Sequence, residues 1–173
     1  IDEQLGRIFD YLKATNQYDS TLIVFTSDHG EQLGDHYLFG KLGYFDASYH
    51  IPLIIRDPKR QLQNVKTLEH FSESVDVMPT ILDWLGLEIP DQCDGRSLLP
   101  FLENEVPRNW REEVHSEFDF RWIGSYQPMI EERFGLLPDE CSLVIIRDAD
   151  YKYVHMTALP PLFFDLRRDP GAV

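Results

Sequence analysis

Thr21-Leu22-Ile23-Val24-Phe25-Thr26-Ser27-Asp28-His29-Gly30 is the stretch that decides the fold, because a β-forming run ends in an acid, an imidazole and a glycine. The run predicts a strand over residues 21–26. Ligands of open α/β sheets collect at the carboxyl ends of strands, where Asp28 and His29 stand and Gly30 permits a sharp turn. The stretch therefore indicates a metal site. Taken alone, Asp28-His29-Gly30 fits a hydrogen-bonded loop without metal at least as well as it fits a metal site.

The flanking residues predict further elements of an α/β fold. Apolar residues recur at i, i+3, i+4 and i+7 from Leu5 to Leu12, so residues 2–16 predict an amphipathic helix, and a helix followed by a strand indicates a crossover unit. A second apolar strand is expected over 51–56, and a polar connector, with or without an edge strand, over 59–68.

The sequence pattern changes in the C-terminal half of the chain. A helix is expected with Asp76 as its N-cap, Pro79 in its first turn and Gly86 at its end. After it, short β-forming runs joined by polar turns predict an antiparallel subdomain. These runs cover residues 114–118, 143–147 and 151–156.

Composition narrows the classes of function. The chain has 173 residues, enough for one sizeable core, and a formal net charge of −14, which argues against a nucleic-acid or anionic-membrane partner. No apolar run is long enough to span a bilayer. Two well-separated cysteines, Cys93 and Cys141, do not form a disulfide framework, which favours a reducing compartment and a cytoplasmic location.

The Asp-His stretch is the first of several blocks that resemble one family in order and spacing. The chain resembles the sulfatase and phosphonate monoester hydrolase branch of the alkaline phosphatase superfamily. The blocks around the Asp-His pair are Asp28-His29-Gly30-Glu31-Gln32-Leu33-Gly34-Asp35-His36, Gly40-Lys41-Leu42-Gly43-Tyr44-Phe45-Asp46 and His50-Ile51-Pro52-Leu53-Ile54-Ile55. Similar blocks lie at 74–86, 95–102, 150–153 and 163–171, and only residues 103–140 read as particular to this protein.

The resemblance implies an α/β fold with an alkaline-phosphatase-like core and a small antiparallel sheet at its C-terminal end. On this reading, residues 1–108 are the C-terminal part of the core. They include the metal loop, the segment around Asp28, His29 and Gly30. Residues 109–173 are an insertion, the small sheet and a C-terminal tail.

The resemblance also implies roles for individual residues. Asp28 and His29 match the family's metal ligands, and Lys41 matches the lysine that contacts the transferring oxyanion. Asp46 is expected to support the site by pairing with Lys41 or with the loop backbone, and His36 to line the pocket. Because imidazole suits transition metals, one divalent ion is expected, manganese first, with calcium or zinc as alternatives.

The family's nucleophile motif, Cys or Ser, any residue, Pro-Ser-Arg, is not found in this sequence. Cys93 precedes Asp94-Gly95, which suits a turn, and Cys141 precedes a β-forming run, which suits the core. The expectation is therefore a C-terminal portion of a larger enzyme, whose missing N-terminal portion supplies a formylglycine or serine. The 173 residues alone are expected to be inactive.

Two other sites suggested by the sequence are discounted. His29, His36 and His50 are spaced too loosely for a three-histidine zinc site, and His50 reads as a structural residue at a strand end. Cys141 and Arg147 reproduce the Cys-x5-Arg spacing of cysteine-dependent phosphatases, but the residues between them include no glycine and cannot form a phosphate loop.

The sequence thus predicts a metal-dependent hydrolase of sulfate, phosphonate or phosphate esters, assembled as a homo-oligomer. Two alternatives remain: a phosphomutase or phosphoethanolamine transferase relative of the same superfamily, and a catalytically inert structural or assembly module.

Overall fold

The computed structural model describes residues 1–60, 67–120 and 127–172, with only the backbone for 127–130. The predicted connector over 59–68 therefore lies largely outside the described residues. The first part of the chain contains, in order, α1 (Asp2–Ala14), β1 (Ile23–Thr26), β2 (Gln32–Leu33), β3 (Phe39–Gly40), α2 (Asp46–Tyr49) and β4 (Leu53–Arg56). The predicted helix and both predicted strands are confirmed, each with slightly shorter bounds.

β1 and β4 run in opposite directions. They pair antiparallel, with Thr26 opposite Leu53 and Ile23 opposite Arg56. This pairing does not test the predicted crossover unit, which consists of α1 and β1 and stays a prediction. A parallel neighbour requires a long crossing connection. Residues 27–52 instead hold a short hairpin, β2 with β3, and the single turn α2, so the chain re-enters the sheet at the end where β1 left it.

The second part of the chain begins with two helices and ends in an antiparallel sheet. Its elements are α3 (Val77–Leu85), α4 (Leu99–Leu102), β5 (Val114–Asp119), α5 (Gln127–Phe134), β6 (Ser142–Arg147), β7 (Tyr151–Met156) and β8 (Leu162–Asp165). β5 to β8 pair in chain order. The predicted antiparallel subdomain is confirmed, because polar turns between β-forming runs favour neighbouring strands.

Two clusters of buried side chains stabilise the fold. Phe101 and Trp110 meet edge to face at 4.8 Å in the first cluster, beside Leu98. The second cluster lies under the C-terminal sheet, around Ile145 and Val154. Because Trp110 packs against residues before 108, contacts cross the predicted domain boundary, and the division at 108 stays a prediction.

Asp76 is the N-cap residue of α3, as predicted, but its side chain does not cap the helix. The side chain is fully buried. Its carboxylate instead accepts hydrogen bonds from the backbone N–H groups of Glu73 and Arg96 and from the guanidinium of Arg111. Burial lowers the pKa of Arg111, but the bonds and charge of Asp76 outweigh burial and raise it. Gly86, with φ +70°, ends α3 as predicted.

Both cysteines are free thiols, as the sequence predicted. Cys141 is buried, and its Sγ donates to the carbonyl of Leu137 at 3.3 Å. Cys93 lies in a turn, where its N–H donates to the carbonyl of Pro90 at 2.9 Å. Within the described ranges, no helix combines the length and apolar character that a bilayer crossing requires.

A second buried carboxylate, Asp57, follows β4 at the end opposite to the Asp-His pair. It accepts hydrogen bonds from Trp84 Nε1 and the Lys59 N–H, both at 2.9 Å, and lies 2.7 Å from Arg60 Nε. Burial raises the pKa of Asp57, but these bonds and the charge of Arg60 together bring it below the ordinary value. The ionised form is therefore the one that the fold stabilises.

We predict that Asp57→Asn lowers the free energy of unfolding most at neutral pH. Because the folded-state pKa is depressed, the stabilisation is fully present above the unfolded pKa and is lost as pH falls through the folded pKa. The difference between wild type and variant should therefore shrink below about pH 4. Urea unfolding across pH measures it, with the exposed change Asp10→Asn on α1 as the matched control. A difference that is constant with pH would contradict the assignment.

Candidate active site

The imidazole of His29 is held in one orientation at the end of β1. Its Nδ1 lies 2.7 Å from the carbonyl oxygen of Gly30. Because a carbonyl only accepts hydrogen bonds, Nδ1 carries the proton. This contact leaves the lone pair of Nε2 directed away from the backbone, and a hydrogen bond of this kind is what orients histidines that ligate metals.

Asp28 lies next to that free nitrogen and faces solvent. Its Oδ2 is 3.6 Å from His29 Nε2, and its side chain is 86% exposed. Its Oδ1 accepts the His29 backbone N–H at 3.0 Å. The neighbouring imidazole lowers the pKa of Asp28, and the backbone bonds and Lys41 act in the same direction. Asp28 is therefore ionised at neutral pH, as a metal ligand must be.

The two side chains fit a divalent transition metal. Ligand atoms bound at about 2.0–2.2 Å around one ion are roughly 3–3.5 Å apart, close to the separation of Asp28 Oδ2 and His29 Nε2. In the part of the chain that the structure describes, no cluster of three or more His, Cys, Asp or Glu side chains could hold a metal ion. Asp28 and His29 are therefore two side chains of a metal-ligating type that the chain brings together at the end of β1.

Gly30 is placed by a close approach to α2. A Cβ at Gly30 would lie 1.9 Å from the carbonyl oxygen of Ala47, inside van der Waals contact. The Gly30 N–H donates to the carbonyl of Ser48 at 2.9 Å. Only glycine allows this backbone contact, which fixes the residue whose carbonyl orients His29.

Gln32 is a functional candidate that sequence reasoning missed. It is fully buried, and its Nε2 donates to the carbonyl of Leu42 at 2.6 Å and to Ser48 Oγ at 3.1 Å. These bonds join the start of the hairpin to α2 and to the residue after Lys41. From the sequence, a polar residue between Glu31 and Leu33 is expected to be exposed. Only its position within the matched block could have indicated that Gln32 has a role in the site.

Lys41 is exposed, and its positive charge is the smallest of the influences that lower the pKa of Asp28. The predicted pairing of Asp46 with Lys41 or with the loop backbone is wrong. Asp46 Oδ1 instead accepts from Lys152 Nζ at 2.8 Å, and its Oδ2 lies 3.3 Å from Arg147 Nε. The physical reason is that Lys152 is 1% exposed, and a buried ammonium requires a counter-ion.

The other histidines do not join His29. His36 stacks on Phe45, with ring centroids 3.8 Å apart, and has the left-handed φ of +54°. Its predicted place in a pocket wall stays a prediction. His50 is exposed, and its ring forms no hydrogen bond with the described residues, so the prediction of a hydrogen-bonded structural histidine is wrong. A three-histidine zinc site is absent from the described part of the chain.

The Cys141 and Arg147 pair forms no phosphate loop, as predicted. The residues between them form β6, which pairs with both β5 and β7. A strand that hydrogen-bonds on both sides has no free N–H groups with which to surround an anion.

Comparison with known proteins places this geometry in a family. The sequence model described as Sulfatase matches residues 1–87. The chain belongs to the sulfatase family. Over 98% of its length it is 58% identical to the multifunctional alkaline phosphatase superfamily protein PehA of Trinickia caryophylli, and over 90% it is 34% identical to an N-acetylglucosamine-6-O-sulfatase of Bacteroides thetaiotaomicron.

A solved member of the superfamily confirms the predicted fold class. The crystal structure of the phosphonate monoester hydrolase of Agrobacterium radiobacter matches 99% of the chain with 47% identity and a TM-score of 0.86. The fold is therefore part of an alkaline-phosphatase-like α/β core with a small antiparallel sheet. The chain spans 33% of PehA, 26% of the sulfatase and 34% of the hydrolase. Because the matches cover nearly the whole chain, the prediction that residues 103–140 are particular to this protein is wrong.

We predict that Gly30→Ala lowers the free energy of unfolding by about 1–3 kcal/mol, the usual cost of overpacking, because the new methyl group must displace α2. Gly6→Ala on α1 is the matched control, since its Cβ meets nothing within 4 Å. That change should add about 0.5–1 kcal/mol. Chemical denaturation measures both, and equal stability of the Gly30 variant and wild type would refute the close approach.

Proposed function

We propose that this chain forms part of a metal-dependent hydrolase of phosphonate, phosphate or sulfate esters. The observation that supports the proposal most directly is the orientation of His29, which leaves Nε2 free beside the ionised Asp28. Membership of the sulfatase family agrees with it. The names of the relatives agree as well, since they include a phosphonate monoester hydrolase and a sulfatase.

In this proposal Asp28 and His29 hold one divalent ion, with manganese first and zinc or calcium as alternatives. Imidazole nitrogen suits manganese and zinc better than calcium, which takes oxygen ligands. A divalent ion bound there would polarise the ester oxygens and favour an ionised nucleophile. The hydrogen bond from Nδ1 to the Gly30 carbonyl keeps the ligating lone pair of His29 in place without a change of tautomer.

Lys41 supplies the second element of the proposed chemistry. Its ammonium is a compact charge on a flexible side chain that acts on the pKa of Asp28, and it would stabilise negative charge that develops on the ester oxygens during displacement. The nucleophile, a formylglycine or a serine, would come from a preceding portion of the same polypeptide, because the 173 residues contain no matching motif.

One observation favours a second candidate, an inert structural or assembly module. The described residues bring only two metal-ligating side chains together, and an ion held by two ligands alone is bound weakly. A chain that works without a preceding portion would then have the fold of the family without its chemistry.

We predict that His29→Ala and Lys41→Ala in the complete enzyme affect different quantities. Loss of the His29 ligand should lower metal content and phosphonate ester hydrolysis together. Loss of Lys41 should lower kcat by about 10²–10³, the usual cost of one oxyanion-stabilising group, with metal content unchanged. Metal analysis and steady-state kinetics separate the two, with the exposed α1 change Lys13→Ala as control. Full activity of the His29 variant with unchanged metal would refute the ligand assignment.

We further predict that residues 1–173, expressed alone, do not hydrolyse an aryl sulfate or a phenyl phosphonate ester. The reason is that the nucleophile and part of the metal coordination are expected elsewhere. Turnover is measured by release of the phenol. Turnover that Lys41→Ala abolishes would show that the chain is sufficient by itself.

A further inference from the structure

A buried lysine of the C-terminal sheet reaches α2, the short helix that packs against Gly30. Lys152 lies in β7, its side chain is 1% exposed, and its Nζ donates to Asp46 Oδ1 at 2.8 Å across 106 residues of sequence. Asp46 is the first residue of α2. The ion pair therefore ties the start of that short helix to a sheet that supplies neither of the proposed metal ligands.

α2 also contacts the metal loop, at Gly30. The carbonyl of Ser48 accepts the Gly30 N–H at 2.9 Å, and the carbonyl of Ala47 lies where a side chain of Gly30 would be. Gly30 in turn accepts the bond from His29 Nδ1. A continuous series of short contacts thus runs from Lys152 through α2 and Gly30 to the imidazole.

The chemistry of the pair suits a positioning role better than a stabilising one. Taking a lysine out of water is costly, and apolar residues of similar size often stabilise a fold as well as, or better than, such an ion pair. Tyr44 and Tyr49 already provide apolar contact between this segment and the sheet. A charge-assisted hydrogen bond adds direction, because it fixes the start of α2 at one distance from β7.

We propose that Lys152 and Asp46 are positioning residues that hold the His29 imidazole in its metal-binding orientation. The proposal deepens the proposed function and rests on it for the metal, but the orientation itself is a property of the metal-free protein. Neither residue touches the reacting atoms, and both act through α2 and Gly30.

The test compares three variants of the complete enzyme. Lys152→Met removes the buried charge and keeps the length of the side chain. Asp46→Asn keeps the shape of a residue that is one-third exposed and is expected to fold even if the first variant does not. Arg111→Met is the matched control, since it removes a buried cation from Asp76, away from α2, and reports the effect of lost stability alone.

Two readouts are measured. Long-range proton–nitrogen NMR of metal-free protein gives the tautomer of His29, recorded at a pH well above the ordinary pKa of histidine, with His29→Gln to assign the signals. Calorimetric titration gives the affinity for Mn²⁺. We expect both pair variants to convert the single Nδ1–H form into a mixture and to weaken Mn²⁺ binding by about tenfold or more, as for other residues that orient metal ligands. The control should lose thermal stability and change neither readout.

Wild-type tautomer and Mn²⁺ affinity in both pair variants would overturn the proposal, and so would an equal effect of Arg111→Met. If wild-type protein neither binds Mn²⁺ nor hydrolyses esters, the proposed function fails. The tautomer measurement then decides the positioning role on its own: a mixture in the pair variants supports it, and an unchanged Nδ1–H form overturns it.

Discussion

The backbone contact between Gly30 and α2 is the constraint on which the candidate site depends. No atom larger than hydrogen fits on the Gly30 Cα in front of the Ala47 carbonyl, so the metal loop and α2 pack backbone to backbone. Two features accompany that contact. The Gly30 carbonyl points at His29, and Gln32 is buried near α2, where its Nε2 donates to Ser48 Oγ of α2 and to the Leu42 carbonyl. A side chain at position 30 would disturb both.

Buried and partly buried carboxylates join segments that are far apart in the sequence, and this explains part of the acidic composition. Asp76 joins the start of α3 to residues 96 and 111, Asp57 joins the end of β4 to α3, and Asp46 joins α2 to the C-terminal sheet. Each of these carboxylates accepts charge-assisted hydrogen bonds, which are directional, so each fixes relative position as well as proximity. The net charge of −14 therefore does not describe the outer surface alone, and several of its acids have structural roles.

Local pattern was enough to predict the elements, and long-range contacts were not predictable from it. α1 and the strands β1, β5, β6 and β7 follow from hydrophobic period and β-branched content, because those signals act within a few residues. The Asp-His pair was also predictable, since its two members are adjacent. The direction of the β1 and β4 pairing, the partner of Asp46 and the burial of Gln32 depend on residues 10 to 106 positions away. The periodicity of hydrophobic residues carries no information about contacts between residues so far apart in the sequence.

The exposure of the Asp-His pair is best understood through coordination number. A divalent transition metal takes four or more ligands, and in the proposed site Asp28 and His29 would provide two of them. If Asp28 and His29 alone held a metal ion and water supplied every other ligand, the ion would be bound weakly. The Asp28 carboxylate is 86% exposed, so water competes with it for the ion. The orientation of His29 is nevertheless fixed by a series of short contacts that extends to β7. This arrangement agrees with the proposed half-site, whose remaining ligands and nucleophile would approach from the exposed side.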